Sequence, residues 1–297
     1  MQWGGSHIVD STMMCTMTSA NHPADRLCES VDQVGAPLCV GLDPVLEKMP
    51  VDLQRLPEIE SFQVFCDGVI EAVAGIAASV KFQSACFERL GSNGIALLGK
   101  LRQNASSKGL QVILDAKRGD IGISAEHYAA SATVEGPCDW ITVNPYLGID
   151  GIAPFLDAGL GVFCLVRTSN PSGDAIQKQQ LNDDRTVAES IADLLAVCGD
   201  AYIGNSGWSS LGAVVGATKP AEAIELRSRM PKQIFLMPGI GAQGASVEDV
   251  SACFSQGHGA LVTASRSVIY PTPKTDWQSD VANVARALSA ALQVGAK

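Results

Sequence analysis

Gln111-Val112-Ile113-Leu114-Asp115-Ala116-Lys117-Arg118-Gly119-Asp120 runs an apolar, strand-like stretch directly into a cluster of charge. Asp115 and Lys117 stand two apart, so a strand turns both side chains to one face, and Gly119 lets the chain turn and send Asp120 elsewhere. Burying ionisable groups is costly, and even paired ones add little stability. Three of them closing a Val-Ile-Leu strand therefore point to a site, against the plainer alternative of a solvated turn with a surface ion pair.

Working outward, the same unit, a short strand followed by a helix-forming segment, recurs eight times beyond residue 35. Strands are expected over 37–42, 79–82, 111–115, 140–143, 162–166, 213–216, 233–237 and 260–263. Helices are expected over 58–77, 94–106, 124–134, 183–197, 220–229 (proline in its first turn), 247–256 and 276–294. Several strands are apolar throughout, as strands covered on both faces should be. Eight such units without a linker, charge run or low-complexity stretch predict an α/β fold of one domain, a (β/α)8 TIM barrel spanning 23–297, with an open doubly wound sheet as the alternative. Residues 1–22 have neither a basic start nor an apolar run, and read as a poorly ordered leader or expression remnant ahead of the fold.

Composition narrows the function classes. A hydrophobic content of 46% with 29 glycines and 5% aromatics provides ample core for an α/β chain of 297 residues. The net charge of −10 argues against nucleic-acid or anionic-membrane partners, so an anionic ligand must be held by locally placed donors. Nine scattered cysteines with no Cys-x-x-Cys pair read as reduced thiols of a reducing, cytoplasmic compartment. Four isolated histidines (His7, His22, His127, His258) lack ligand spacing, so no metal site is expected. No apolar run is long enough to span a membrane.

A barrel places its catalytic groups at the C-terminal strand ends. Polar residues fall there: Asp43 after strand 1, Lys81 in strand 2, Asp115 and Lys117 after strand 3, Asn144 after strand 4, Thr168 and Ser169 after strand 5, Ser265 and Arg266 after strand 8. After strand 7 comes Pro238-Gly239-Ile240-Gly241-Ala242-Gln243-Gly244, a literal G-x-G-x-x-G. A dinucleotide unit should carry an acidic residue at the end of its next strand, but that strand ends Thr263-Ala264-Ser265-Arg266. A phosphate site explains the loop better: glycines admit backbone N–H groups close to the anion, Gln243 adds an amide and Arg266 a bidentate cation, unless Arg266 only forms a surface salt bridge. Lys81 is either a snorkelling edge lysine or the partner of the strand-3 carboxylates. The polar connection over 167–181 has the length of a lid or binding loop. His127 and Tyr128 read as packing and solvent residues.

Taken together, Val40-Gly41-Leu42-Asp43-Pro44, Val80-Lys81-Phe82-Gln83, Asp115-x-Lys117-x-x-Asp120, Val143-Asn144-Pro145-Tyr146-Leu147-Gly148 and Arg167-Thr168-Ser169-Asn170-Pro171-Ser172 resemble the orotidine 5′-monophosphate decarboxylase family, in its longer, type 2-like subgroup. The resemblance covers about residues 36–270. It implies a (β/α)8-barrel homodimer that converts orotidine 5′-monophosphate to uridine 5′-monophosphate and carbon dioxide, the last step of de novo pyrimidine biosynthesis, with no metal or organic cofactor. By position, it assigns Lys81, Asp115 and Lys117 to a charged network that the partner's Asp120 completes. It assigns ribose hydroxyls to Asp43 and Lys81, the pyrimidine edge to Ser169, and the phosphate to Gln243 and Arg266 beside Gly241, Gly244 and Ser265. Ser124 stands where the family commonly has threonine; its hydroxyl implies a ribose contact. Lys117 would place positive charge at C6 and then deliver a proton there. Two rivals remain: a magnesium-dependent sugar-phosphate decarboxylase or aldolase of the same barrel group, and an NAD(P)-dependent oxidoreductase using Gly239-x-Gly241-x-x-Gly244.

Overall fold

In the computed structural model, which describes residues 22–240, 246–274 and 276–295, every expected strand forms. They are β1 (Leu38–Leu42), β2 (Ser79–Gln83), β3 (Gln111–Arg118), β4 (Trp140–Val143), β5 (Gly161–Arg167), β6 (Ser209–Val215), β7 (Gln233–Pro238) and β8 (Ala260–Ala264). All pair in parallel, and β8 returns to β1 through Leu38↔Val262, Cys39↔Thr263 and Val40↔Ala264. This closure overturns the open-sheet alternative.

The helices are α1 (Pro23–Val34), α2 (Glu58–Val73), α3 (Ser84–Glu88), α4 (Gly91–Ser107), α5 (Gly122–Val134), α6 (Ala153–Asp157), α7 (Asp174–Gln177), α8 (Val187–Gly199), α9 (Pro220–Arg229), α10 (Glu248–Ser251), α11 (Arg266–Ile269) and α12 (Trp277–Gly295). Their apolar faces bury the outward strand residues in the larger core; Phe62, Phe65 and Val69 of α2 are each at most 1% exposed. Inside the barrel, Cys39, Ile113, Trp140, Phe163, Ile234 and Leu261 form a second core that Ala24 and Leu27 of α1 join from below. Trp140 stacks on Phe163 with centroids 4.4 Å apart. A Cβ on Gly161 would come within 2.3 Å of the Trp140 ring, so only glycine fits there. Among the described residues, the bottom of the barrel is thus a packed plug, and the end open to chemistry is the C-terminal mouth.

Several boundaries differ from expectation for identifiable reasons. The helix expected from 183 starts at Val187, because Thr186 accepts the Glu189 N–H while the Glu189 carboxylate accepts the Thr186 N–H, a capping box. Strand β6 starts four residues early, at Ser209; its serines read as polar, but Ser209 donates to the Gly199 carbonyl at 2.8 Å and is fully buried. The helix expected over 247–256 shrinks to the single turn α10, and that over 58–77 stops at Val73 before Gly75 at φ +71°. Apart from His22, the expectation for residues 1–22 lies outside the described residues. Among the described residues, no helix is long and apolar enough to cross a membrane, and all eight cysteines are free.

Candidate active site

The charged cluster of β3 sits on irregular backbone. Strand β3 continues to Arg118, past the expected end at Asp115, but its register against β4 slips between Leu114 and Arg118, and Lys117 adopts φ +48°. A non-glycine residue there costs of order 1 kcal/mol and persists only where its surroundings enforce it. Here the Lys117 N–H donates to Thr142 Oγ1 at 2.9 Å, and that hydroxyl donates to Asp115 Oδ1 at 2.9 Å. Thr142, on β4, escaped sequence reading: a threonine inside the apolar Trp140–Val143 strand gives no signal until the bulge brings it under Lys117.

Four side chains from three staves alternate in charge. Lys81 Nζ lies 2.8 Å from Asp115 Oδ2 and 3.8 Å from Asp43 Oδ1; Lys117 Nζ lies 2.5 Å from Asp115 Oδ1. Lys81 and Asp115 are nearly buried, with side chains 7% and 9% exposed, whereas the Lys117 side chain is 46% exposed and reaches into the cavity. Burial works against the charge on Lys81, but the Asp115 and Asp43 carboxylates outweigh it and hold the ammonium pKa above its ordinary value. Burial likewise favours protonated Asp115, and the Lys81 and Lys117 ammoniums outweigh it, keeping its pKa below the usual carboxylate range. The snorkelling reading of Lys81 is thereby overturned.

The array forms one wall of a cavity of about 260 Å³ at the barrel mouth. Opposite it, Leu165, Val214, Leu236 and Ile240 make an apolar surface, rimmed by Thr168, Ser169 and Asn170 after β5 and by Ser265 and Arg266 after β8. Gly239, at φ +121°, lines the same cavity; Gly241, Gln243 and Gly244 lie outside the described residues. Arg266 is exposed at the cavity edge, and its guanidinium has no hydrogen-bond or ion-pair partner among the described residues. Asn144 does not line the cavity: it accepts the Tyr146 N–H at 3.1 Å and caps a short turn.

Asp120 and Ser124 are not brought to this cavity. Asp120 follows β3 and accepts the N–H of its neighbour Ile121 at 2.9 Å; Ser124 lies in the first turns of α5. Around them Ile121 and Ile123 are 54% and 69% exposed, and Tyr146 is 86% exposed.

The connection after β5 is held from behind. Arg167, 1% exposed, donates to Asp174 at 2.7 Å, to Gln177 Oε1 at 2.9 Å and to Glu222 of α9. Gln177 in turn accepts the Thr168 N–H at 3.0 Å and donates to its hydroxyl at 2.8 Å. A guanidinium fork with three separate acceptors fixes the backbone carrying Thr168 and Ser169. No group of three or more histidine, cysteine or carboxylate side chains among the described residues is placed to hold a metal ion.

Comparison with known proteins agrees with the closed barrel. The chain is 39% identical over 266 residues to orotidine 5′-phosphate decarboxylase of Rhodopirellula baltica, covering 83% of this chain and 88% of that one. It is 36% identical over 271 residues to the Clostridium perfringens protein of the same name, covering 89% and 94%. Among solved structures, the OMP decarboxylase of Leishmania donovani superposes with a TM-score of 0.77 at 30% identity, over 92% of this chain and 98% of the other. The model of the Orotidine 5′-phosphate decarboxylase / HUMPS family matches residues 36–273, and the chain belongs to that family.

Proposed function

We propose that this enzyme decarboxylates orotidine 5′-monophosphate to uridine 5′-monophosphate, the last step of de novo pyrimidine biosynthesis. The observation that carries the reading is the preassembled Asp43–Lys81–Asp115–Lys117 array at the mouth of a barrel belonging to this family.

In the reaction, the bond from C6 to the carboxyl carbon breaks, carbon dioxide leaves, and the electron pair stays on C6. The Lys117 ammonium faces the developing charge and then transfers a proton to form the C6–H bond, taking its replacement from solvent. A unit charge at 4 Å contributes ~4 kcal/mol at an effective dielectric of ~20, so one ammonium supplies a substantial share of the stabilisation but not all. Asp115 keeps Lys81 charged and aims both lysines. Asp43 and Lys81 take ribose hydroxyls, and Ser169 takes the pyrimidine edge. Arg266 and Ser265 hold the phosphate with Gln243, Gly241 and Gly244. Binding energy from the phosphate, remote from C6, positions the base.

The same reading assigns the protein to a cytoplasmic homodimer in which Asp120 and Ser124 act in the partner's cavity. Exposed Ile121 and Ile123 beside Asp120 support this, since apolar side chains flanking an unused carboxylate suit a subunit contact. Neither a metal nor an organic cofactor enters the scheme. Following the absorbance of orotidine 5′-monophosphate with EDTA-treated enzyme tests it: turnover should persist, whereas loss of turnover restored by magnesium would favour the metal-dependent rival of the same barrel group. NAD(P)H binding would favour the oxidoreductase.

A further inference from the structure

Asp43 must be held as firmly as its barrel neighbours if it is to meet a ribose, yet it lies beyond the last residue of β1, where the ladder ends. Its Oδ1 atom is shut from solvent and, apart from the 3.8 Å ion pair with Lys81, has no hydrogen-bond partner, as expected of an acceptor awaiting a donor. Pro44 has no N–H, so the first backbone donor after Asp43 is that of Val45. Its partner is a side chain from the far end of the chain: the Val45 N–H donates to Tyr270 Oη at 2.7 Å. The same hydroxyl lies 3.4 Å from the Val45 carbonyl and 3.5 Å from the Asp43 carbonyl, either of which accepts its proton.

Tyr270 is itself immobilised. Its ring stacks on Phe65 of α2 with centroids 5.4 Å apart and planes 11° from parallel, and Phe65 stacks on Trp277 at 5.3 Å. Its N–H donates to the Arg266 carbonyl at 3.1 Å, closing the helical turn that Arg266 opens. One tyrosine thus connects the residue assigned to the phosphate with the turn carrying the residue assigned to the ribose, without lining the cavity.

We infer that Tyr270 is a positioning residue for substrate binding: its hydroxyl fixes the Asp43–Val45 turn so that the Asp43 carboxylate meets the ribose hydroxyls of the nucleotide. The inference rests on the ribose role proposed for Asp43, and the experiment separates the two. Dissociation constants of uridine 5′-monophosphate and its 2′,3′-dideoxy analogue are measured for the wild type, Tyr270→Phe and Asp43→Asn. Tyr270→Phe keeps both ring stacks and removes only the hydroxyl. The wild type should favour the ribonucleotide, and Asp43→Asn should collapse that preference. Tyr270→Phe should reduce it about fivefold, the loss of one hydrogen bond's worth of positioning, while binding the dideoxy analogue as the wild type does. That unchanged affinity also reports an intact fold. A wild-type preference in Tyr270→Phe alongside a collapsed one in Asp43→Asn would overturn the inference and leave the ribose role standing. Equal weakening of both ligands in Tyr270→Phe would reduce Tyr270 to packing. A wild-type preference in Asp43→Asn would overturn the ribose role, and the inference with it.

Discussion

The two halves of the barrel mouth are built on opposite principles. From β1 to β4, Lys81, Asp115, Lys117 and Thr142 are joined by contacts of 2.5–2.9 Å before any ligand arrives, and Asp43 adds an ion pair to Lys81 at 3.8 Å. From β5 to β8, the wall is mostly apolar (Leu165, Val214, Leu236), with Thr263 of β8 as a buried polar exception and the other polar groups on the rim. Charge that must act on a reacting carbon is worth most when it needs no reorganisation, so it is paired in advance. A flat base needs only a dry surface and a few donors. On the proposed assignment, the lever on chemistry lies in the first half, and the lever on affinity lies in the second and in the loops after β7 and β8.

Three experiments would break this division, in falling order of effect. Lys117→Ala should lower kcat by about 10⁴-fold or more while uridine 5′-monophosphate still binds, measured by single-turnover absorbance and calorimetry. Near-normal turnover would remove Lys117 as proton donor. Next, Lys117→Ala and Asp120→Ala proteins, each nearly inactive alone, should regain about a quarter of wild-type activity when unfolded together and refolded as a 1:1 mixture. Half of the dimers are then mixed, and one of their two sites draws Lys117 and Asp120 from intact chains. No recovery despite mixed dimers on a sizing column would place Asp120 in its own chain's site. Arg266→Ala should raise KM by about 10²-fold with kcat within a few-fold, the signature of lost uniform binding. A fall confined to kcat would move Arg266 into the first half's role.

How far the sequence could be read follows the same division. Charges inside β-branched strands are conspicuous, so Lys81, Asp115 and Lys117 stood out as candidates, while their roles came from the family resemblance. Their common face, however, is reached by a bulge and a positive φ at Lys117 that no alternation pattern predicts. Thr142 and Tyr270 were illegible: a threonine in a strand and a tyrosine after a helix are ordinary, and their value lies wholly in partners 25 and 225 residues away. Arg167 was visible as a residue, but its burial beneath Thr168 depends on Asp174, Gln177 and Glu222 folding back over it. Strand positions were legible throughout, and eight similar units favoured the closed order, which the pairing of β8 with β1 then decided against the open sheet. Helix ends were less so, since caps such as Thr186 compete with propensity.

The smallest expected effect is an absence of titration, and its sign follows from the array. The folded pKa of Asp115 is depressed, so its contribution to stability is fully present above the ordinary carboxylate value of ~3.9 and is lost only as pH falls through its lower folded value. The folded pKa of Lys81 is raised, so its contribution is fully present below ~10.4 and is lost only as pH rises past its higher folded value. Between about pH 5 and 9 neither group changes charge in the wild type, so the side-chain carboxyl carbon of Asp115, followed by 13C NMR, should keep one chemical shift across that window. The phosphate of the substrate, whose second pKa is near ~6, is then left as a source of any acid limb in kcat/KM over the same range. A carboxyl shift that moved near neutrality would mean that Asp115 titrates there, and that the pairing drawn between β2 and β3 does not hold it ionised.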